Sequence, residues 1–66
     1  MKQYQIKLLQ DIKDNRDIYT WHDIQDIVEA RFMIEEKTDL LSILKSKEHN
    51  DFMKKVEKIY YKEEVK

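Results

Sequence analysis

Neither glycine nor proline occurs anywhere in the 66 residues. Those two residues most cheaply supply positive φ at two-residue hairpin turns and let a backbone approach a phosphate closely. Their absence disfavours tight-turned sheets and phosphate-cradling loops, and it leaves helical segments free of their usual breakers. Five Leu, eight Ile, three Val and seven aromatics are enough apolar material for a compact helical domain or an obligate oligomer. The expected fold is all-α: a single domain over 1–66, built as a small bundle of three longer helices, about 3–14, 20–35 and 50–63, and one short one, about 38–45. A chain of this length buries only about 60% of the surface its unfolded form exposes, so the core is small and dimerisation is a second expectation.

Helical spacing assigns most apolar residues to seams. Tyr4, Leu8, Leu9 and Ile12 form one stripe of a first helix, ending near Asp14 or Asn15, where asparagine tolerates a left-handed cap. Thr20 followed by Asp23 is a capping-box pattern, with Tyr19 placed to staple onto Ile24. The second seam is Trp21, Ile24, Ile27, Val28 and Phe32. The pair Asp-Ile occurs four times between residues 11 and 27, and the expected cause is packing, each isoleucine inward and each aspartate near solvent. Thr38 precedes "DLLSILK", where Leu40, Leu41 and Leu44 mark a short third helix. The polar run "KSKEHND" at 45–51 reads as a connection, with Ser46 or Asn50 capping a last helix whose stripe is Phe52, Val56, Ile59 and Tyr60, Met53 at its edge.

Three apolar residues fall outside these seams at 100° per residue: Ile6, Met33 and Tyr61. They are the candidate anchors of a partner-binding or dimer surface, because Met and aromatic side chains are enriched at interface cores. Beside them run two charged stripes. Asp23, Asp26 and Glu29 share the outer face of the second helix, and Lys54, Lys55, Lys58 and Lys62 share that of the last. Solvated faces that suit the helix dipole account for both. The functional alternatives are a rim that sets partner specificity, or mimicry of a phosphate row, for the acids, and phosphate contact for the lysines.

Signals for catalysis are thin. His22 and Asp26 share a helix face at i, i+4, but no second pair and no nucleophile motif joins them, and His49 falls in the polar connection. No enzyme activity, metal or cofactor is expected. There is no cysteine, the N-terminal stretch lacks a signal-peptide apolar region, and no run approaches a membrane span, so a cytoplasmic location without membrane partners is expected. Net charge is −1 and offers nucleic acid no global field, although residues 1–36 carry five basic and eight acidic side chains and 37–66 eight and six. Eleven Lys against two Arg, and eight Ile against one Ala, fit an AT-rich coding sequence such as a small phage, plasmid or low-GC bacterial gene, and a phage or mobile-element type is expected.

Two functional classes follow. One is a small regulator or inhibitor that presents a helical face to a larger protein partner. The other comes from a resemblance: "LLQDIKDNRDIYTWHDIQDIV" looks like the first helix, turn and second helix of a helix-turn-helix or winged-helix domain, with "KTDLLSILK" in the recognition position and "EKIYYKEEVK" where a wing would follow. That resemblance covers most of the chain and implies a DNA-binding regulator using the lysine stripe. The chain departs from the pattern in lacking the customary glycine before the third helix. It also offers Asp39 and Ser42 where base-reading Arg, Asn or Gln would stand. Protein binding is the reading the residues favour.

Overall fold

The computed structural model describes residues 1–61 and is all-helical over them: α1 (Gln3–Asn15), α2 (Trp21–Glu36), α3 (Leu40–Leu44) and α4 (Lys47–Tyr61). α2 is the hub, packing against α1, α3 and α4, while α1 also lies along α4 and α3 bridges α2 and α4. The core is one cluster of Leu8, Ile12, Ile24, Val28, Phe32, Ile43, Phe52 and Val56, with Tyr4, Leu9, Trp21, Ile27, Met53, Ile59 and Tyr60 half-buried around it. Three of the four helices present to this cluster the stripes expected from their spacing.

The start of α2 follows directly from its sequence. Thr20 Oγ1 accepts from the Asp23 N–H at 3.1 Å and Asp23 Oδ2 accepts from the Thr20 N–H at 3.1 Å, so two otherwise orphaned donors are satisfied reciprocally. Thr20→Ala is expected to lower stability by about 1 kcal/mol. An unchanged urea midpoint would mean that this cap contributes nothing to the fold.

Several expectations need correction. α1 does not end in a left-handed residue at Asn15: its cap, Arg16, is right-handed, and the Asn15 side chain bonds back to Asp11. The left-handed residue is Lys37, at φ 54°, which closes α2 as the Lys37 and Thr38 N–H groups donate to the Met33 carbonyl. α3 is capped by Asp39, whose side chain accepts from the Ser42 N–H at 2.9 Å, and not by Thr38. Nor is "KSKEHND" a connection. Ser46, one of the two expected caps, accepts through Oγ from the His49 N–H at 3.3 Å, so α4 begins at Lys47, three residues before the expected start near 50. Its first turn is polar because three of its four residues face solvent; the fourth, His49, is buried.

The second Asp-Ile pair also behaves unlike the others. Ile12 and Ile24 are fully buried and Ile27 partly so, but Ile18, in the α1–α2 turn, is 74% exposed. Helical periodicity has no hold on a residue in a turn.

Polar groups tie the helix ends together. The Lys2 N–H donates to Gln5 Oε1 at 3.0 Å, and Gln5 Nε2 donates to Glu48 at 2.8 Å, which satisfies a buried amide between α1 and α4. Glu36, at the end of α2, accepts from Lys2 Nζ at 2.7 Å and from the Tyr4 hydroxyl. Those two donors hold the Glu36 carboxyl below the usual carboxylate range. At the opposite end the Tyr60 hydroxyl donates to the Tyr19 carbonyl at 3.0 Å, fastening α4 to the α1–α2 turn.

Candidate protein-docking surface

α3 is five residues, "LLSIL", and four of them are aliphatic. A helix this short can turn only one of its faces onto α2 and α4, and the residue it turns inward is Ile43. Leu40, Leu41 and Leu44, the residues that mark this helix in the sequence, are all exposed, Leu41 at 68%. At 100° per residue they span one arc of about 100°, with Ser42 and Ile43 off it. Ile34, near the end of α2, is exposed as well, at 69%. Isolated exposed apolar residues are ordinary, but three leucines making one whole face of a helix are not explained by chance exposure.

Charges frame α3 closely. Asp39 stands at its N-cap and Lys45 at its C-cap, both exposed, and the Ser42 N–H holds the Asp39 carboxyl below the usual range, so it stays ionised at neutral pH. Glu35 lies further back on α2, paired with Arg31 at 3.2 Å.

The anchors expected from sequence are not brought together here. Met33 is corrected outright: it is half-buried and packs against the core, because α2 is covered by three helices and its buried arc is wider than a single stripe. Ile6 is exposed on α1. Tyr61 is half-exposed, yet its ring lies 5.5 Å from Trp21 and 5.0 Å from Tyr60, so it belongs to an aromatic cluster that closes the far end of the bundle.

Of the acidic stripe, Asp23 is occupied in the α2 cap, Asp26 is exposed and Glu29 is half-buried. Lys54, Lys55 and Lys58 are exposed on α4; Lys62 lies outside the described residues. Lys54 and Lys58 line an open groove of about 510 Å³ with Tyr61, but Glu57 sits among them and dilutes the positive field. Of the segment expected to form a wing, residues 57–61 are the last turns of α4, and 62–66 lie outside the described residues.

His22 and Asp26 remain an exposed pair on one helix, and among the described residues no three His, Asp or Glu side chains are grouped to hold a metal ion. Among the same residues no helix is long and apolar enough to cross a membrane. Compared with known protein families, with curated proteins and with solved structures, the chain matches none.

The α3 face was missed because in "LLSIL" nearly every position is apolar, so periodicity cannot say which side is in. A usable signal was the length. Two polar caps with five residues between them leave room for little more than one turn, which is too short to bury more than one large side chain.

Proposed function

We propose that the chain is a small regulatory or inhibitory protein that works by binding a larger protein partner through its α3 face. The observation that carries this reading is the unbroken apolar surface of Leu40, Leu41 and Leu44, turned to solvent on a helix pinned at both ends. Aliphatic side chains on a rigid helix suit a hydrophobic groove of another protein. They are poor readers of nucleic acid, since leucine offers no donor or acceptor to base edges, and Asp39 beside them would repel phosphate. The same five residues occupy the recognition position in the helix-turn-helix alternative, so the feature that favours protein binding also weighs against DNA. The AT-rich coding bias supports a mobile-element origin for such a regulator.

The reading is tested with Leu44→Lys, an exposed substitution that leaves the core intact. Proteins retained from the source cells by the wild type are purified and titrated against both forms. Binding to the wild type and a loss with the variant of roughly a hundredfold, the range of a central interface residue, is expected. A purified partner that binds both forms equally overturns the assignment of this face.

A further inference from the structure

A neutral imidazole carries one donor and one acceptor, and burying both without partners is costly. His49 is such a ring: it is 4% exposed, and neither Nδ1 nor Nε2 has a hydrogen-bond partner. What holds it is an apolar contact, edge-on to Phe32 with ring centroids 5.2 Å apart. A position that asked only for packing is filled at lower cost by leucine, so a titratable ring here needs a reason. The groups around it serve a charge poorly. α2 presents Phe32 and the half-buried Glu29, whose carboxylate is the charge that acts on the ring, and on α4 the Asn50 side chain lies beside it. Other charges at this end of the bundle are engaged elsewhere or turned outward. Glu36 of α2 accepts from Lys2 and Tyr4, Glu48 of α4 accepts from Gln5 of α1 and lies 3.7 Å from Lys2, Lys47 pairs with Asp51 at 3.5 Å, and Asp39 and Lys45, at the ends of α3, are exposed.

The ring's place in the chain gives it leverage. In the first turn of α4, Lys47, Glu48 and Asn50 are exposed and His49 alone is buried. Further along, α4 is held by Phe52, Val56 and the Tyr60 hydroxyl on the Tyr19 carbonyl, so its first turn opens at less cost than the whole helix. α3 is joined to that turn by Lys45 and Ser46 alone: the Ser46 N–H donates to the Ile43 carbonyl at 2.9 Å, and the Ser46 carbonyl accepts from the Asn50 N–H at 3.1 Å. Five residues with Ile43 as the one buried side chain do not hold a helix without that support.

We infer that the α3–α4 corner is an acid-operated latch: a proton on His49 frees the ring from Phe32, the first turn of α4 opens, and α3 loosens with it, while the rest of the bundle stays closed. The proton comes from solvent to a ring nitrogen that the opening uncovers. In the open turn the imidazole is an ordinary solvated histidine, whereas burial lowers its affinity for a proton in the closed one. Below about pH 6.5 the ratio of open to closed copies therefore grows by about tenfold per pH unit at most, until the closed ring itself binds a proton. The consequence for function rests on the reading of α3 as a docking face. A loosened α3 no longer presents Leu40, Leu41 and Leu44 together, so fewer copies are able to dock as the pH falls.

Amide hydrogen exchange of the full chain at about pH 7.5 and about pH 5.5, corrected for the intrinsic pH dependence of exchange, tests the latch without a partner. In acid the Ile43, Ser46 and Asn50 amides are expected to be at least roughly tenfold less protected than those of Val28 and Phe32, and several-fold less protected than they are at the higher pH. His49→Leu is expected to abolish the acid-induced loss. Corner amides that exchange in acid at the rate of the core, a corner indifferent to pH, or an acid loss that persists in His49→Leu each overturns the proposal. Glu29→Gln keeps the test decisive should His49→Leu not fold. It removes the carboxylate that favours a charged ring in place and is expected to deepen the acid loss at the corner, and a loss it leaves unchanged overturns the proposal. The latch and the docking face fail separately. A corner that opens in acid through His49, with a purified partner that binds Leu44→Lys normally, overturns the docking face alone, whereas a corner that stays shut, with a partner lost on Leu44→Lys, overturns the latch alone.

Discussion

Phe32→Ala is expected to destabilise the fold by about 3–5 kcal/mol, a large share of its total stability. Phe32 is almost fully buried on the hub helix, and its ring lies 5.5 Å from Tyr4, 5.2 Å from His49 and 5.2 Å from Phe52, edge-on to the first two and tilted to the third. One side chain thus joins α1, α2 and α4. Truncation removes the transfer energy of the ring and leaves a cavity whose walls belong to three helices, each anchored elsewhere by its caps, so collapse into the space is restricted. The whole protein of this size is stabilised by only roughly 3–10 kcal/mol. Urea unfolding followed by circular dichroism measures the difference, and a loss below about 1 kcal/mol would contradict the placement of Phe32 at the centre of the core.

The second large effect is expected at His49. Its side chain is 4% exposed, its ring meets Phe32 edge-on, and neither ring nitrogen has a hydrogen-bond partner. Burial pushes the imidazole below its ordinary value of 6.5, against the pull of the nearby Glu29 carboxylate and the Asn50 side chain. Between the lowered folded value and 6.5 the unfolded chain therefore binds a proton that the folded chain does not. This contribution to stability is complete above about pH 6.5 and is lost progressively as the pH falls below it. His49→Leu removes the titrating group and two orphaned polar atoms together. It is expected to raise stability at neutral pH by about 1–3 kcal/mol and to flatten the loss on mild acidification. Thermal melts of both proteins at neutral and mildly acidic pH decide the matter. A wild type that melts alike at both values would show that the imidazole is not held neutral.

These two residues also mark the boundary of what the sequence made legible. Phe32 was placed correctly because α2 is long, its isoleucines and valine recur at helical spacing, and Thr20 with Asp23 announces where the count begins. His49 was misplaced because a histidine flanked by Glu48, Asn50 and Asp51 looks solvated. Yet it stands three residues before Phe52 and seven before Val56, so extending the α4 stripe back by one turn would have found it. Met33 failed for a geometric reason: a stripe drawn for one packing partner underestimates the buried arc of a helix with three. α3 was legible as a short helix, but binary patterning carries no information where almost every residue is apolar, so which of its sides faces solvent was not. Ile6 and Tyr61 were correctly left outside the seams, but the structure gives Tyr61 a place in the aromatic cluster with Trp21 and Tyr60 and leaves Ile6 alone.

The lengthwise pairing of α1 with α4 bears on how the chain is made. Leu8 and Ile12 are translated before part of what covers them, Phe52 and Val56 of α4, and Gln5 must wait for Glu48. During synthesis α1 and α2 can form and meet, yet they remain open on the side that α4 will close, so the nascent chain keeps a sticky flank until α4 emerges. Truncation before residue 52 would leave that flank exposed, whereas the emergence of α4 seals it within the time a helix needs to dock. The flank that α1 and α2 leave open is thus closed by the described helix that lies furthest from α1 along the chain, and the interval between their emergence sets how long it stays exposed.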